Sequence, residues 1–271
     1  MNNNYHLLPH QPYLEFNTSY QNFLPSKGDP LYNLVWEIYE VSNYNIEKHI
    51  ALPDACADIM CFYTSYRADC YFIGSDTNLR FMQQLPFCKN ALTIFGVKFF
   101  PGALGTLIKA PAKEISQQPL LLSDIFSNGL AFTYSLSQAQ NFTTRIQIVR
   151  QYLYQELYAN YERDPLLYYM THSIIANLGT AKIQTLSAKT GYTDRYLRKK
   201  MSSGLGISIK SFSDIIRFQY SYHLYQSRKK NISLTDLAAL SGYYDQSHMN
   251  LSYKRLTGLS PQKVLELYQK F

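Results

Sequence analysis

Hydrophobic and polar positions follow two different rhythms along this chain. In the first third, short apolar and aromatic runs stand between turn formers. Residues 57–63 follow Pro53-Asp54, residues 70–74 precede Ser75-Asp76, and residues 91–99 stop at Pro101-Gly102. Aromatic and β-branched runs punctuated in this way predict short strands and turns. From about Ser137 the period changes: Ile146, Val149, Leu153 and Leu157 recur at spacings of three and four, which puts them on one helix face. Asp164 and Pro165 then supply the N-cap and first residue of another helix, closed by Gly179. Everything after it reads as helices with short turns. The pattern predicts an α+β domain over residues 1–162 (short strands plus helices), then an all-α domain over residues 163–271.

The helical part contains an internal repeat. Leu186-Ser187-Ala188-Lys189-Thr190-Gly191-Tyr192 lies over Leu237-Ala238-Ala239-Leu240-Ser241-Gly242-Tyr243 at an offset of 51. Further on, Leu197, Met201, Gly206 and Ser208 match Met249, Tyr253, Gly258 and Ser260 at an offset of 52. One supersecondary unit is duplicated, with one residue inserted in the second turn. The unit reads as helix-turn-helix. Ala188 is expected where the two helices cross closely, Gly191 at a sharp turn needing positive φ, and Tyr192 as a plug for the junction. Thr193 is placed to cap the second helix, and Ser233 with Asp236 forms a capping-box-like pair in the second copy. With Leu197 and Met201 facing inward, Asp194, Arg195, Arg198 and Lys199 point out. The outward set of the second copy is Gln246, Ser247, Asn250 and Lys254.

Charge sharpens this picture. Residues 172–271 hold 15 Lys and Arg against 5 Asp and Glu, whereas residues 1–171 hold 11 against 14. One basic half behind an acidic half is the asymmetry of a domain that faces a polyanion. Arg and Lys suit guanine acceptors, Gln and Asn suit adenine, and Ser serves either. Arg217, Arg228, Lys229, Lys230 and Arg255 suit phosphates. The overall composition, 46% hydrophobic and 17% charged, is that of a globular chain. No apolar run reaches the roughly 18 residues of a membrane span, and the N-terminus lacks a signal-peptide pattern, so a soluble cytoplasmic protein without a membrane partner is expected.

Catalysis is not expected. Cys56, Cys61, Cys70 and Cys88 are spaced by four, eight and seventeen residues, unlike paired zinc ligands. In a cytosolic chain they are expected as reduced, buried thiols rather than a disulfide framework. A nucleophilic Cys56 or Cys61 would need a neighbouring base, and the front half offers only His6, His10 and His49. No cofactor or metal is called for.

The repeat also resembles the C-terminal domain of the AraC/XylS family of bacterial transcription regulators, over residues 182–269. Its sharpest stretches are Gly242-Tyr243-Tyr244-Asp245-Gln246-Ser247-His248-Met249 and Lys254-Arg255-Leu256-Thr257-Gly258-Leu259-Ser260-Pro261. Ile215-Ile216-Arg217-Phe218-Gln219 resembles the long helix joining the two motifs. The resemblance implies two reading helices in successive major-groove faces of double-stranded DNA, roughly 34 Å apart. Arg195, Arg198 and Lys199, with Tyr196 beside them, match the first set of contacts. Gln246, Ser247 and Asn250, with Lys254, match the second. Two positions depart from the family: Leu251 stands where an Arg is usual, and Tyr244 where a hydroxyl caps the helix, which passes the capping role to Asp245. Residues 52–59 and 95–103 resemble an N-terminal domain of some AraC-type regulators, which implies sensing or dimerisation. RNA polymerase and a small-molecule effector are open as further partners. Activation or repression is equally open, as is monomer or homodimer, the stripe Ile146-Val149-Leu153-Leu157 serving either a dimer or the monomer's own core.

Overall fold

The structure, a computed structural model, describes residues 9, 11, 19–43, 51–75, 91–103, 112, 119–126, 128–160, 164–228 and 231–267. The front half is built on an antiparallel sheet. Its strands are β1 (Tyr20–Phe23), β2 (Val35–Ser42), β3 (Ala57–Tyr63), β4 (Ala68–Ile73), β5 (Thr93–Phe99) and β6 (Leu120–Leu121), in the order β1-β2-β5-β3-β4-β6. Three helices follow: α1 (Leu122–Ile125), α2 (Gly129–Gln138) and α3 (Phe142–Asn160). The helical period thus begins before the predicted Ser137.

The inner strands β2, β3 and β5 are buried on both faces, so β3 and β5 read as nearly unbroken apolar runs, and an irregularity between Val35 and Glu37 puts Val35 and Ile38 on the same face. One face presents Val35, Ile38, Ile59, Phe72, Phe95, Val97 and Phe99 to Phe132, Leu136, Val149 and Leu153 of α2 and α3. The helical stripe is therefore spent inside the monomer: Ile146, Val149 and Leu153 are core residues, which leaves them no role in a dimer contact. Leu157 lies outside the described side chains. β2 escapes the sequence pattern because Glu37 and Glu40 interrupt its apolar run. Both are buried and partnered, Glu37 by Tyr20 and Asn22, Glu40 by Arg145.

The cysteine expectation is overturned. Cys61 and Cys70 face each other across β3 and β4 in register, their Cα atoms 4.0 Å apart, and are joined by a disulfide. Direct cross-strand opposition is a tertiary fact that a spacing of eight residues conceals. Cys56 is a buried free thiol, and Cys88 lies outside the described residues.

The second face carries Tyr39, Val41, Met60, Phe62 and Ile94, and one buried charge cluster. The Lys98 ammonium lies 2.7 Å from Asp54 and 3.0 Å from Asp58. Gln11 donates to Asp54 and to the Leu52 carbonyl, and accepts from the Leu52 N–H. The loop holding this cluster also reaches the helical half. Leu52 packs with Phe218 and Tyr222, Ala55 packs with Leu167 and Met170, and Gln219 donates to the Pro53 carbonyl at 2.8 Å.

The rest of the chain is helical: α4 (Pro165–Ala176), α5 (Ile183–Thr190), α6 (Asp194–Leu205), α7 (Ile209–Ser227), α8 (Leu234–Leu240), α9 (Gln246–Thr257) and α10 (Pro261–Leu267). Asp164 caps α4 by accepting from the Leu167 N–H, with Pro165 at its first position. Among the described residues no helix is long and apolar enough to cross a membrane.

Candidate nucleic-acid interface

Two helix pairs hang on one shaft. The first half of α7 buries Phe212, Ile215 and Ile216 against Leu186 of α5 and Leu197 and Met201 of α6. Its second half buries Phe218 and Tyr222 against Leu237 and Ala238 of α8 and Met249 and Tyr253 of α9. Ser208 caps this helix by accepting from the Ser211 N–H. Both motifs therefore pack on one continuous helix, α7.

Each motif is shaped by short-range chemistry. In the first, α5 ends on Gly191 at φ 74°, a left-handed conformation that a side chain would strain. Thr193 then caps α6 by accepting from the Tyr196 N–H, and Ser187 donates to Asp194 across the turn. In the second, Gly242 turns the chain at φ 75°. Asp245 caps α9 by accepting from the His248 N–H at 2.7 Å, as the displaced hydroxyl required. Ser233 caps α8 and also donates to Asp236.

Three details differ from expectation. Ala188 and its counterpart Ala239 are exposed; the small residue at the second helix crossing is the buried Ala238, one position earlier. Tyr192 does not plug its junction. It is 46% exposed and stacks on Tyr196 with ring centroids 4.8 Å apart, whereas Tyr243 in the second copy is buried and does seal the turn. Arg217 is not on the surface for phosphates. It donates to the Gly179 carbonyl, pairs with Asp214 at 3.6 Å and lies over the Tyr243 ring at 5.3 Å.

The outward residues of the first reading helix, Arg195, Tyr196, Arg198 and Lys199, are all exposed, opposite buried Leu197, Met201 and Leu205. On α9, Ser247 and Lys254 are exposed, while Gln246 and Asn250 are half-buried. Gln246 accepts from the Thr235 hydroxyl at 2.9 Å, which fixes its amide. Of the phosphate candidates, Arg228 is exposed, Arg255 pairs with Asp214, and Lys229 and Lys230 lie outside the described residues. Leu251, at 69% exposed, and Tyr244, at 91%, stand out beside the second reading face. Their signal was present in the sequence, since Leu251 follows Ser247 by four residues.

Residues 186–266 match the helix-turn-helix domain family. The chain carries an AraC-type helix-turn-helix domain. This AraC-type domain belongs to regulators of transcription that bind DNA, and it supplies that general role here. No curated protein matches the sequence. Among solved structures, the chain is similar to ToxT from Vibrio cholerae O395, with 9% identity over 93% of this chain and 99% of that one, at a TM-score of 0.43. Unsaturated fatty acid bound wild-type ToxT from strain SCE256 gives 11% identity over 97% and 99%, at 0.42. The C-terminal domain of AraT, a response regulator from Geobacillus stearothermophilus, gives 19% over 38% and 85%, at 0.35. These scores are low, and it is the match over residues 186–266 that assigns the AraC-type domain.

Neither Cys56 nor Cys61 is an activated nucleophile. Burial pushes the Cys56 thiol well up, and the Asp54 carboxylate adds to it, the reverse of what a thiolate needs. Cys61 is held in the disulfide.

Proposed function

We propose that the chain is a sequence-specific transcription regulator that reads two successive major-groove faces of double-stranded DNA, one with α6 and one with α9. The observation that carries this reading is the pair of solvent-facing helices hung on α7 within a matched helix-turn-helix module. In this reading residues 163–271 bind DNA and residues 1–162 form a sensing or oligomerisation domain. Arg195, Arg198 and Lys199 bond guanine acceptors, and the Tyr196 hydroxyl reaches the backbone. Gln246, Ser247 and Asn250 read the second half-site, with Lys254 at its edge. Arg228 neutralises phosphate. A small-molecule effector at the front domain fits the same scheme. Its route to both readers is the loop around Pro53, which touches the shaft helix directly.

The test is selection of randomised duplex DNA by the full-length protein at two salt concentrations. The expected result is a two-part motif with centres about 10 base pairs apart. Affinity should fall steeply with salt, as counterion release requires. Arg198→Ala should relax one half-site only. Enrichment of no sequence at either salt overturns the reading.

A further inference from the structure

The two reading faces are chemically unlike. On α9, Ser247, Asn250, Leu251 and Lys254 follow the i, i+3, i+4, i+7 spacing and form one stripe, opposite buried Met249, Ser252 and Tyr253. Leu251 is 69% exposed. A single exposed leucine is ordinary on a protein surface, but this one is in register with the repeat. The offset of 52 sets it on Lys199, and the same offset sets Ser247 on Arg195 and Asn250 on Arg198. Three cations on the first helix are replaced by a hydroxyl, an amide and an isobutyl group on the second.

A major groove offers such an apolar side chain one complementary feature, the C5-methyl of thymine. The same side chain opposite guanine would leave the O6 and N7 acceptors desolvated and unpaired, which penalises that base. We propose that Leu251 is a specificity-determining residue that reads a thymine methyl in the second half-site, so that this half favours A·T pairs while the cationic α6 favours G·C. The proposal rests on the DNA-binding reading above.

The test uses the full-length protein and its selected operator, with each thymine of the second half-site replaced in turn by deoxyuridine, which removes only the methyl. Binding by the unmodified protein should weaken about fourfold at the position Leu251 meets, the effect of one buried methyl-sized group. Leu251→Ala should weaken binding to the thymine operator by at least as much and become indifferent to deoxyuridine there. Leu251→Arg, carried through a second selection, should move that position towards guanine. Both replacements are good helix formers at an exposed site, so the fold is retained. Equal binding of thymine and deoxyuridine operators, with Leu251→Ala also unchanged, overturns the inference while leaving the DNA-binding reading intact. Failure to select any duplex sequence overturns that reading, and this inference with it.

Discussion

Lys98 shows how one side chain can decide whether a buried site is tolerable. Its ammonium, 4% exposed, answers both Asp54 and Asp58, and the two carboxylates hold its proton more firmly against the opposing pull of burial. Asp58 is the weaker partner. Burial pushes its carboxyl up, Lys98 draws it back, and Asp54 raises it again, while one of its oxygens finds no hydrogen-bond partner among the described residues. An uncompensated buried charge costs far more than a lost pair contributes. Lys98→Met should therefore destabilise the protein by about 3–5 kcal/mol in urea unfolding. Asp58→Asn keeps the shape and leaves Lys98 paired with Asp54, so it should cost no more than about 1 kcal/mol. Equal losses for the two would mean that Lys98 is not the keystone of the cluster. Neighbouring Gly96 shows the same tightness sterically, since a Cβ there would sit 2.1 Å from the Tyr39 ring.

Among the elements, α6 and α9 depend on their caps. Thr193 and Asp245 each satisfy an otherwise unpaired N–H in the turn that carries the first outward residues. Replacing either by Ala should cost about 1 kcal/mol of stability. It should also weaken DNA binding at that helix's own half-site, read as altered affinity for operators mutated in one half at a time. Losses spread evenly over both halves would show that the caps serve the domain rather than its individual readers. These caps were legible in the sequence because capping is local: Thr193, Ser233, Asp164 and the displaced Asp245 are set by residues three positions away. Strand β3 was legible for the same reason, an unbroken apolar run between turn formers. What escaped depends on distant partners. Glu37 and Glu40 hid β2 because their partners, hydrogen-bond donors on β1 and the Arg145 cation on α3, come from distant parts of the chain. Arg217 looked like a phosphate ligand because Gly179 and Asp214 meet it only in the folded chain. The repeat made Tyr192 and Tyr243 look equivalent, yet only the second has the shaft and Arg217 packed around it.

At the scale of the whole molecule, the sheet half and the helical half meet through backbone that a short loop carries across. Ala55, buried at φ 58°, and Leu52 enter the two helical cores, and Gln219 of the shaft holds the Pro53 carbonyl between them. Gly102 makes a second approach, where a Cβ would lie 3.2 Å from Leu167. Asp54 in the same loop belongs to the Lys98 cluster, so four consecutive residues touch both the sheet's charge centre and the helical half. Such a joint should make the halves unfold together. Trp36, the only tryptophan, sits on β2 and reports the sheet by fluorescence, while far-UV circular dichroism is dominated by the helices. In the native sequence the two urea transitions should coincide. The pair Leu52→Ala with Gln219→Ala removes the plug and the hydrogen bond, at a cost of about 2–5 kcal/mol for the leucine alone, and should separate the two midpoints. Coincident transitions in the double variant would mean that the Gly102 contact, and not the loop, binds the halves into one cooperative unit, and would move the route for any effector signal to α4.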